Sequence, residues 1–496
     1  MTTTFSSKLR SFFWPIYGRE NKLFTPMACM LALILFAYTV CRGIKDTGVV
    51  NAANGAAIIT FLKVYAVVPF ALLFFILYSW LGNKFNRRTI FYIVITPFLV
   101  YFAAYAFLIY PNQDSLQPTT MVHSIVNWFP EGALRNWFGM FFSMVEYWTH
   151  ASFYVMSELW GSAILSLLFW QFANDIIPVD NAKRFYAHFY ILGNVAVMLA
   201  GLLTESVNIA YKTNYTAGLQ IMVSLVILAG LGTIALYYYM NNVILMDPEF
   251  QLTEESKPKK SKKAKMSMGE GIKFLLSSRY LGLIAILVIC YGISINLAEV
   301  LWKDLAHQLY PNKADYNAYM GRYFFLTGFF TVIVILIGSS ILRRFGWLKT
   351  ALATPILLGV SASLFYLCVI FRGSLEAYAT PFGGIIALSV LIGLIQNLAS
   401  KPTKYAMFDP TKEMAYIPLD AESKMKGKAA VDVVGARLGK SGGSAIGQVL
   451  GALAAPAAAS SVVISYAPES FAITVGIVLL WIWAVSALGK RFEALT

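Results

Sequence analysis

The chain has 496 residues, 58% of them hydrophobic and only 13% charged, with a mean hydropathy of +0.64. That balance excludes a string of soluble domains and points to a polytopic membrane protein. The formal net charge of +14 does not imply a nucleic-acid polymer as partner, because the basic residues are scattered between apolar segments and form no single stripe.

In chain order, a cytoplasmic segment (1–23) places Lys8, Arg10, Arg19 and Lys22 ahead of a full-length span, not ahead of a short cleavable core. A helix needs about 20 apolar residues to cross the hydrocarbon. Stretches free of Asp, Glu, Lys and Arg then predict spans at 23–41, 64–83, 89–113, 147–174 (interrupted only by Glu158), 185–204 and 213–246. The first is expected to start at Thr25-Pro26, a favourable cap and first-turn pair. KPKKSKKAK (257–265), inside the segment 247–278, reads as a solvated cytoplasmic linker, since a block of like charge repels itself. Six more spans follow at 280–298, 323–342, 350–371, 377–400, 441–468 and 470–489, before a short tail (491–496).

Placing the first segment in the cytoplasm assigns to inner loops Lys84, Arg87 and Arg88; Lys183 and Arg184; Arg343, Arg344 and Lys349; Lys401 to Lys428; and Lys490 and Arg491. Outer loops receive only Arg135, Lys212, Lys303, Lys313, Arg322 and Arg372. The imbalance follows the positive-inside rule, so both termini are expected to be cytoplasmic.

The halves echo each other. LGNKFNRRT (81–89) resembles LRRFGWLKT (342–350), Ile177-Pro178-Val179-Asp180 recurs as Ile417-Pro418-Leu419-Asp420, and the spacing of Gly193 and Gly201 recurs in Gly443 and Gly451. The expected fold is therefore an all-α polytopic membrane protein with twelve transmembrane helices in two six-helix halves (24–246 and 279–490). It is major-facilitator-like, with substrate bound between the halves near mid-membrane. Cys29, Cys41, Cys290 and Cys368 show no CxxC spacing and are expected to be buried thiols, with neither a disulfide framework nor a metal site.

A charge near the middle of a spanning helix costs about 2.5–3.5 kcal/mol on insertion scales and usually marks function. Glu158 in SELWGS lies deep in the fourth span; Lys45 in CRGIKDTGVV and Glu299 in NLAEVLWK lie at similar depths in the first and seventh, where they are expected to face each other. Lys440 opens the uncharged part of the eleventh, with Arg437 one turn earlier on the same helix face. Snorkelling to an interface is the alternative for Lys45, Glu299 and Lys440. Lys63 and Arg42 either join this group or sit at a boundary, and Asn194 beside Gly193 completes the candidate substrate-binding set. Together they predict a polar central cavity that suits an anion. His150 and His188, also within spans, read as packing or hydrogen-bonded residues, with a proton relay as the alternative.

GARLGKSGGS (435–444) is not a P-loop, because three residues rather than four separate Gly435 from Gly439 and no strand precedes it. Its glycines allow close approach of a helix or a ligand. Lys440 and the planar fork of Arg437 can still hold a phosphate. The acidic stretch 409–424, with Asp409, Glu413, Asp420 and Glu422 alternating with Lys412 and Lys424 just after Lys404, reads as a salt-bridged gate on the cytoplasmic side.

RGIKDT (42–47), SELWGSAILSLLFWQFAND (157–175), NLAEVLWK (296–303) and KPTKYAMFDPTKEMAYIPLDAESKMKGKAAVDVVGARLGKSGGS (401–444) resemble the nucleotide transporters of plastids and obligate intracellular bacteria. These are ATP/ADP translocases unrelated to the mitochondrial carrier, and the resemblance runs over nearly the whole chain. It implies a twelve-helix, major-facilitator-like antiporter exchanging ATP for ADP without a cofactor, with the family's two lysines and two glutamates matching Lys45, Glu158, Glu299 and Lys440. It further implies a monomer in a bacterial inner membrane rather than a plastid envelope. Members of such a family also include proton-coupled nucleoside triphosphate importers, which is the alternative reading; a polytopic membrane enzyme is a third.

Overall fold

The computed structural model describes residues 16, 18–52, 55–247, 278–420, 427–428, 430–431, 435–454 and 461–495. The lysine block 257–265 lies outside the described residues, as do Glu422 and Lys424. Among the described residues every regular element is helical. A bilayer demands this, because it offers the backbone no other hydrogen-bond partners.

Eleven helices among the described residues are long and apolar enough to cross a membrane: α1 Glu20–Val50, α2 Gly55–Lys84, α3 Arg87–Leu116, α4 Trp148–Ile176, α5 Arg184–Ala210, α6 Tyr215–Met246, α7 Arg279–Leu309, α8 Lys313–Gly338, α9 Arg344–Ile370, α10 Ile385–Ala415 and α12 Ala467–Leu495. Each overlaps a span expected from sequence. Between the last two lies α11, Ala436–Leu453, a continuous 18-residue helix rich in glycine and carrying Arg437 and Lys440; it is not among the eleven. Residues 455–460, which complete the expected eleventh span, lie outside the described residues.

Helix starts are set by side chains that accept an otherwise unsatisfied amide. Asn86 caps α3 through Thr89 N, Asn214 caps α6 through Ala217 N, Ser278 caps α7 through Leu281 N and Asn312 caps α8 through Ala314 N. The expected start of α1 at Thr25-Pro26 is corrected: the helix begins at Glu20 and Pro26 lies inside it. An ion pair at 2.7 Å between Glu20 and Arg184 of α5 ties down that extra turn. Near the start of α9 the backbone leaves helical geometry at Gly346, with φ 75°, a left-handed value that glycine adopts without a Cβ penalty.

Several helices outrun the hydrocarbon. At 31 residues each, α1 and α7 are about 46 Å long, against a core of about 30 Å. Buried apolar side chains form two large clusters. One is built entirely from residues between Ile16 and Ile244; the other draws mainly on Tyr280 to Leu488 and takes in Val49, Val50, residues from Ala56 to Leu62, Met140 and Tyr154. Outward faces stay apolar, as lipid requires: Phe70, Leu73, Phe75 and Ile76 on α2 are each more than half exposed.

The two sets of helices meet through glycine. A Cβ on Gly201 of α5 would stand 2.5 Å from Phe325 N and 2.6 Å from Gly321 O of α8, and one on Gly321 would stand 2.6 Å from Glu205 N. Such contacts are made backbone to backbone, the small-residue packing typical of membranes.

Candidate functional site

The bundle's interior holds a chain of alternating charges. Lys45, toward the end of α1, is only 4% exposed; its ammonium lies 3.0 Å from Glu158 Oε1 of α4 and 3.2 Å from Asp46 Oδ1. It also sits 3.7 Å from the centre of the Tyr154 ring, a cation–π contact. Asp46 Oδ2 holds Lys303 Nζ of α7 at 2.9 Å, Lys303 reaches Glu299 Oε1 at 3.1 Å, and the same oxygen accepts Lys401 Nζ of α10 at 3.3 Å. Lys401 also donates to the Tyr323 hydroxyl.

Local helix geometry explains the order. Consecutive residues on a helix diverge by about 100°, so Lys45 turns to α4 while Asp46 turns to α7. Glu299 and Lys303, four apart, share a face of α7. Six charges in strict alternation leave no net charge in the chain. Each buried ion keeps a counter-ion, which offsets much of its desolvation.

A second, cationic group adjoins it. Lys63 donates to Asn296 Oδ1, and Asn296 Nδ2 donates to Lys440 O at 3.1 Å and to Ser444 Oγ at 2.9 Å. The Lys440 side chain is exposed and makes no ion pair among the described residues, although its charge and that of Lys63 bear on Glu158. Arg437, half-buried, likewise has no carboxylate partner among the described residues. Arg42 lies over the Phe324 and Tyr38 rings, at 5.1 and 5.8 Å.

Widened, π-helical turns occur beside this cluster. Lys63 lies inside one (Leu62–Val67); another (Gly161–Phe169) begins three residues after Glu158, and a third (Lys404–Phe408) three residues after Lys401. Such bulges frequently mark functional sites in helices.

Of the candidate residues, Lys45, Glu158 and Glu299 join one chain, and Lys440 lies close by. Lys45 does not snorkel. Nor do Lys45 and Glu299 face each other as expected: Asp46 and Lys303 stand between them, each carboxylate having found a nearer ammonium. Lys303 and Lys401, expected in loops, lie inside α7 and α10, the first buried and the second partly buried. Asn194 makes its contacts elsewhere, its amide donating to Tyr190 O at 2.8 Å and its carbonyl lying against Gly328.

GARLGKSGGS serves helix packing, as its structural reading predicts. Gly439 lies against Gly292 of α7, and Gly443 against Asn296. The acidic stretch keeps ion pairs at Lys404–Asp409 (2.7 Å), Lys412–Glu413 (3.5 Å) and Lys428–Glu413 (2.5 Å). His150 Nδ1 lies 3.2 Å from the Tyr105 hydroxyl and His188 Nδ1 lies 2.8 Å from Arg184 O, both as hydrogen-bonded residues. Three cysteines are buried; Cys29, expected buried, is exposed.

Contacts between the helices before and after the 247–278 segment cluster on the side away from where α1 begins. They include Asp46–Lys303, Gln448 Nε2 to Thr60 O at 3.0 Å, Lys212–Asp315 at 2.9 Å and Arg322–Glu205 at 2.6 Å.

A spanning helical bundle with a neutralised ionic core and spare cations beside it fits a membrane transporter of anions. A crystal structure of D-xylose-proton symporter shares its fold, with a TM-score of 0.54 at 12% identity over 93% of this chain and 97% of that one; the fold is of the major-facilitator kind. Residues 1–492 match the family model described as TLC ATP/ADP transporter. The chain is 44% identical over 501 residues to ADP,ATP carrier protein 1 of Chlamydia muridarum, covering 98% of this chain and 92% of that protein. It is 39% identical over 514 residues to ADP,ATP carrier protein 3 of Rickettsia bellii, covering 99% of each. The protein belongs to the TLC ATP/ADP transporter family: it is a multi-pass membrane transporter and not an enzyme.

Proposed function

We propose that the protein exchanges ATP for ADP across a bacterial inner membrane by alternating access, as a monomer with both termini in the cytoplasm. Residues 24–246 and 279–490 form two six-helix halves, with α11 as the eleventh of twelve spans, and the nucleotide binds between them. The observation that carries this reading is the juxtaposition of a neutral ion-pair chain with Lys440, Arg437 and Lys63, cations that no carboxylate among the described residues holds. A nucleotide with about three or four negative charges complements that surplus. Lys440 and Arg437 grip terminal phosphate oxygens, while Lys45, Glu158 and Glu299 rearrange their pairs around the ligand. Clustered contacts on the side away from the start of α1 support a state closed to the outside and open to the cytoplasm.

Exchange is favoured over proton-coupled import because Glu158 and Glu299 each lie within 3.3 Å of an ammonium. Protonating either would sacrifice an ion pair in a buried setting. Reconstituted vesicles decide the matter. Uptake of labelled ATP is expected to require internal ADP; uptake into empty vesicles under an imposed pH gradient would overturn exchange.

A further inference from the structure

The charge chain has a single link between the two proposed halves. Glu158, Lys45 and Asp46 belong to α4 and α1; Lys303, Glu299 and Lys401 belong to α7 and α10. Only the pair of Asp46 Oδ2 and Lys303 Nζ, at 2.9 Å, joins them. With the neighbouring Lys45 it forms the sealed middle of the chain. Lys45, Asp46 and Lys303 are 4%, 2% and 6% exposed, whereas Glu158 on one side and Glu299 and Lys401 on the other are 24%, 16% and 14% exposed.

Cutting the chain at this link does not give two neutral pieces. The α1/α4 triad keeps two carboxylates and one ammonium, and the α7/α10 triad keeps two ammoniums and one carboxylate. Parting the halves in an empty carrier therefore strands one unpaired charge on each side in a buried setting, which is strongly unfavourable. A phosphate removes the obstacle on the α7/α10 side. It is an anion that can take the place of the Asp46 carboxylate on Lys303, while Asp46 keeps its contact with Lys45 through the other oxygen, Oδ1 at 3.2 Å. Asp46 is suited to this exchange because it gives one oxygen to each half.

We propose that the Asp46–Lys303 ion pair is the latch that holds the empty carrier shut on the side away from the start of α1, with Asp46 standing in for the phosphate group that displaces it. Coupling then has a concrete origin: a carrier that has delivered its cargo to the cytoplasm cannot release the latch empty, so it reopens outward only with another nucleotide bound. Asp46 and Lys303 act as positioning residues for the gate. The adjacent far-side contacts, Gln448 to Thr60 O and Lys212–Asp315, lack this property, since each joins groups outside the charge chain.

The latch rests on the exchange reading, and the test separates the two. Vesicles containing the full-length protein, either empty or loaded with ADP, are given labelled ATP outside. Wild-type protein is expected to go on taking up label only with ADP inside; sustained uptake into empty vesicles means that the exchange reading itself has failed. Asp46→Asn and Lys303→Gln are expected to take up label into empty vesicles at least tenfold faster than wild type, and Asp46→Glu to restore the need for internal ADP. If wild type exchanges and both variants still need internal ADP, the latch is refuted.

A second readout covers poor folding of those variants. Thr47, fully buried beside Asp46, is replaced by Cys in a carrier whose four native cysteines are removed. Its reaction with an impermeant thiol reagent added from outside is then followed. Protection without nucleotide and reactivity with saturating ATP is the expected pattern; equal reactivity in both conditions overturns the proposal.

Discussion

Gly292 of α7 and Gly439 of α11 touch main chain to main chain: a Cβ on Gly292 would stand 2.8 Å from both the Cα and the carbonyl carbon of Gly439. This contact fixes how closely Lys440, the next residue, approaches Asn296 and the charge chain. Gly292→Ala is expected to push α11 outward and destabilise the protein by about 1–3 kcal/mol, the usual cost of overpacking. Thermal melting in detergent checks the first effect. A rise in the half-saturating ATP concentration checks the second.

Removing Lys440 has a different signature. Its side chain is exposed and makes no ion pair among the described residues, so Lys440→Ala is expected to leave the melting temperature near wild type. Losing a charged phosphate contact of about 1.5–3 kcal/mol translates to a roughly ten- to hundredfold loss of exchange. Counterflow and melting measured on one preparation distinguish this from misfolding. Full exchange in the variant would remove Lys440 from the site.

The order of the charges predicts which residues are coupled. Lys45 touches Glu158 but reaches Glu299 only through Asp46 and Lys303. Double-mutant cycles on exchange are expected to give a coupling of about 0.5–3 kcal/mol for Lys45 with Glu158, and a smaller one for Lys45 with Glu299. Reversing both charges of the Lys45/Glu299 combination is not expected to rescue transport. Rescue would mean that the two meet directly in the working cycle.

Lys401 provides a contrast within one helix. Lys401→Gln takes an ammonium from Glu299 and is expected to lower exchange at least fivefold, in line with loss of a contact worth about 1 kcal/mol or more. Lys404→Gln loses a pair with Asp409 of the same helix, where both partners are more exposed, so a change below about fivefold, and smaller than that of Lys401→Gln, is expected, since exposed pairs contribute about 0–1 kcal/mol. Parallel uptake assays on the two variants test the assignment.

How legible the molecule is from its sequence depends on what ends a hydrophobic run. Apolar stretches located eleven spanning helices and the depth of Glu158, because hydrocarbon thickness acts on every segment alike. The run lengths were too short in three instructive places. Counting stops α1 at residue 41, α7 at 298 and α10 at 400, whereas these helices continue to Val50, Leu309 and Ala415. The interrupting residues in each case include members of the charge chain: Lys45 and Asp46, Glu299 and Lys303, and Lys401. A charge looks like a helix boundary when taken alone, and only the fold shows that its counter-ion waits on another helix. Two signals were nonetheless present, the adjacency of Lys45 and Asp46 and the four-residue spacing of Glu299 and Lys303. The pairing of Lys401 across to α7 has no counterpart in local sequence.

The meeting of Gly201 with Gly321 bears on how such a bundle can move. Where α5 and α8 cross, Gly201 and Gly321 put main chain against main chain, flanked by the Glu205–Arg322 pair and by Met198 against Gly328. The separation there is fixed by the backbones themselves, which makes the crossing a fulcrum: tilting the helices costs the flanking contacts, spreading them costs the glycine contact itself.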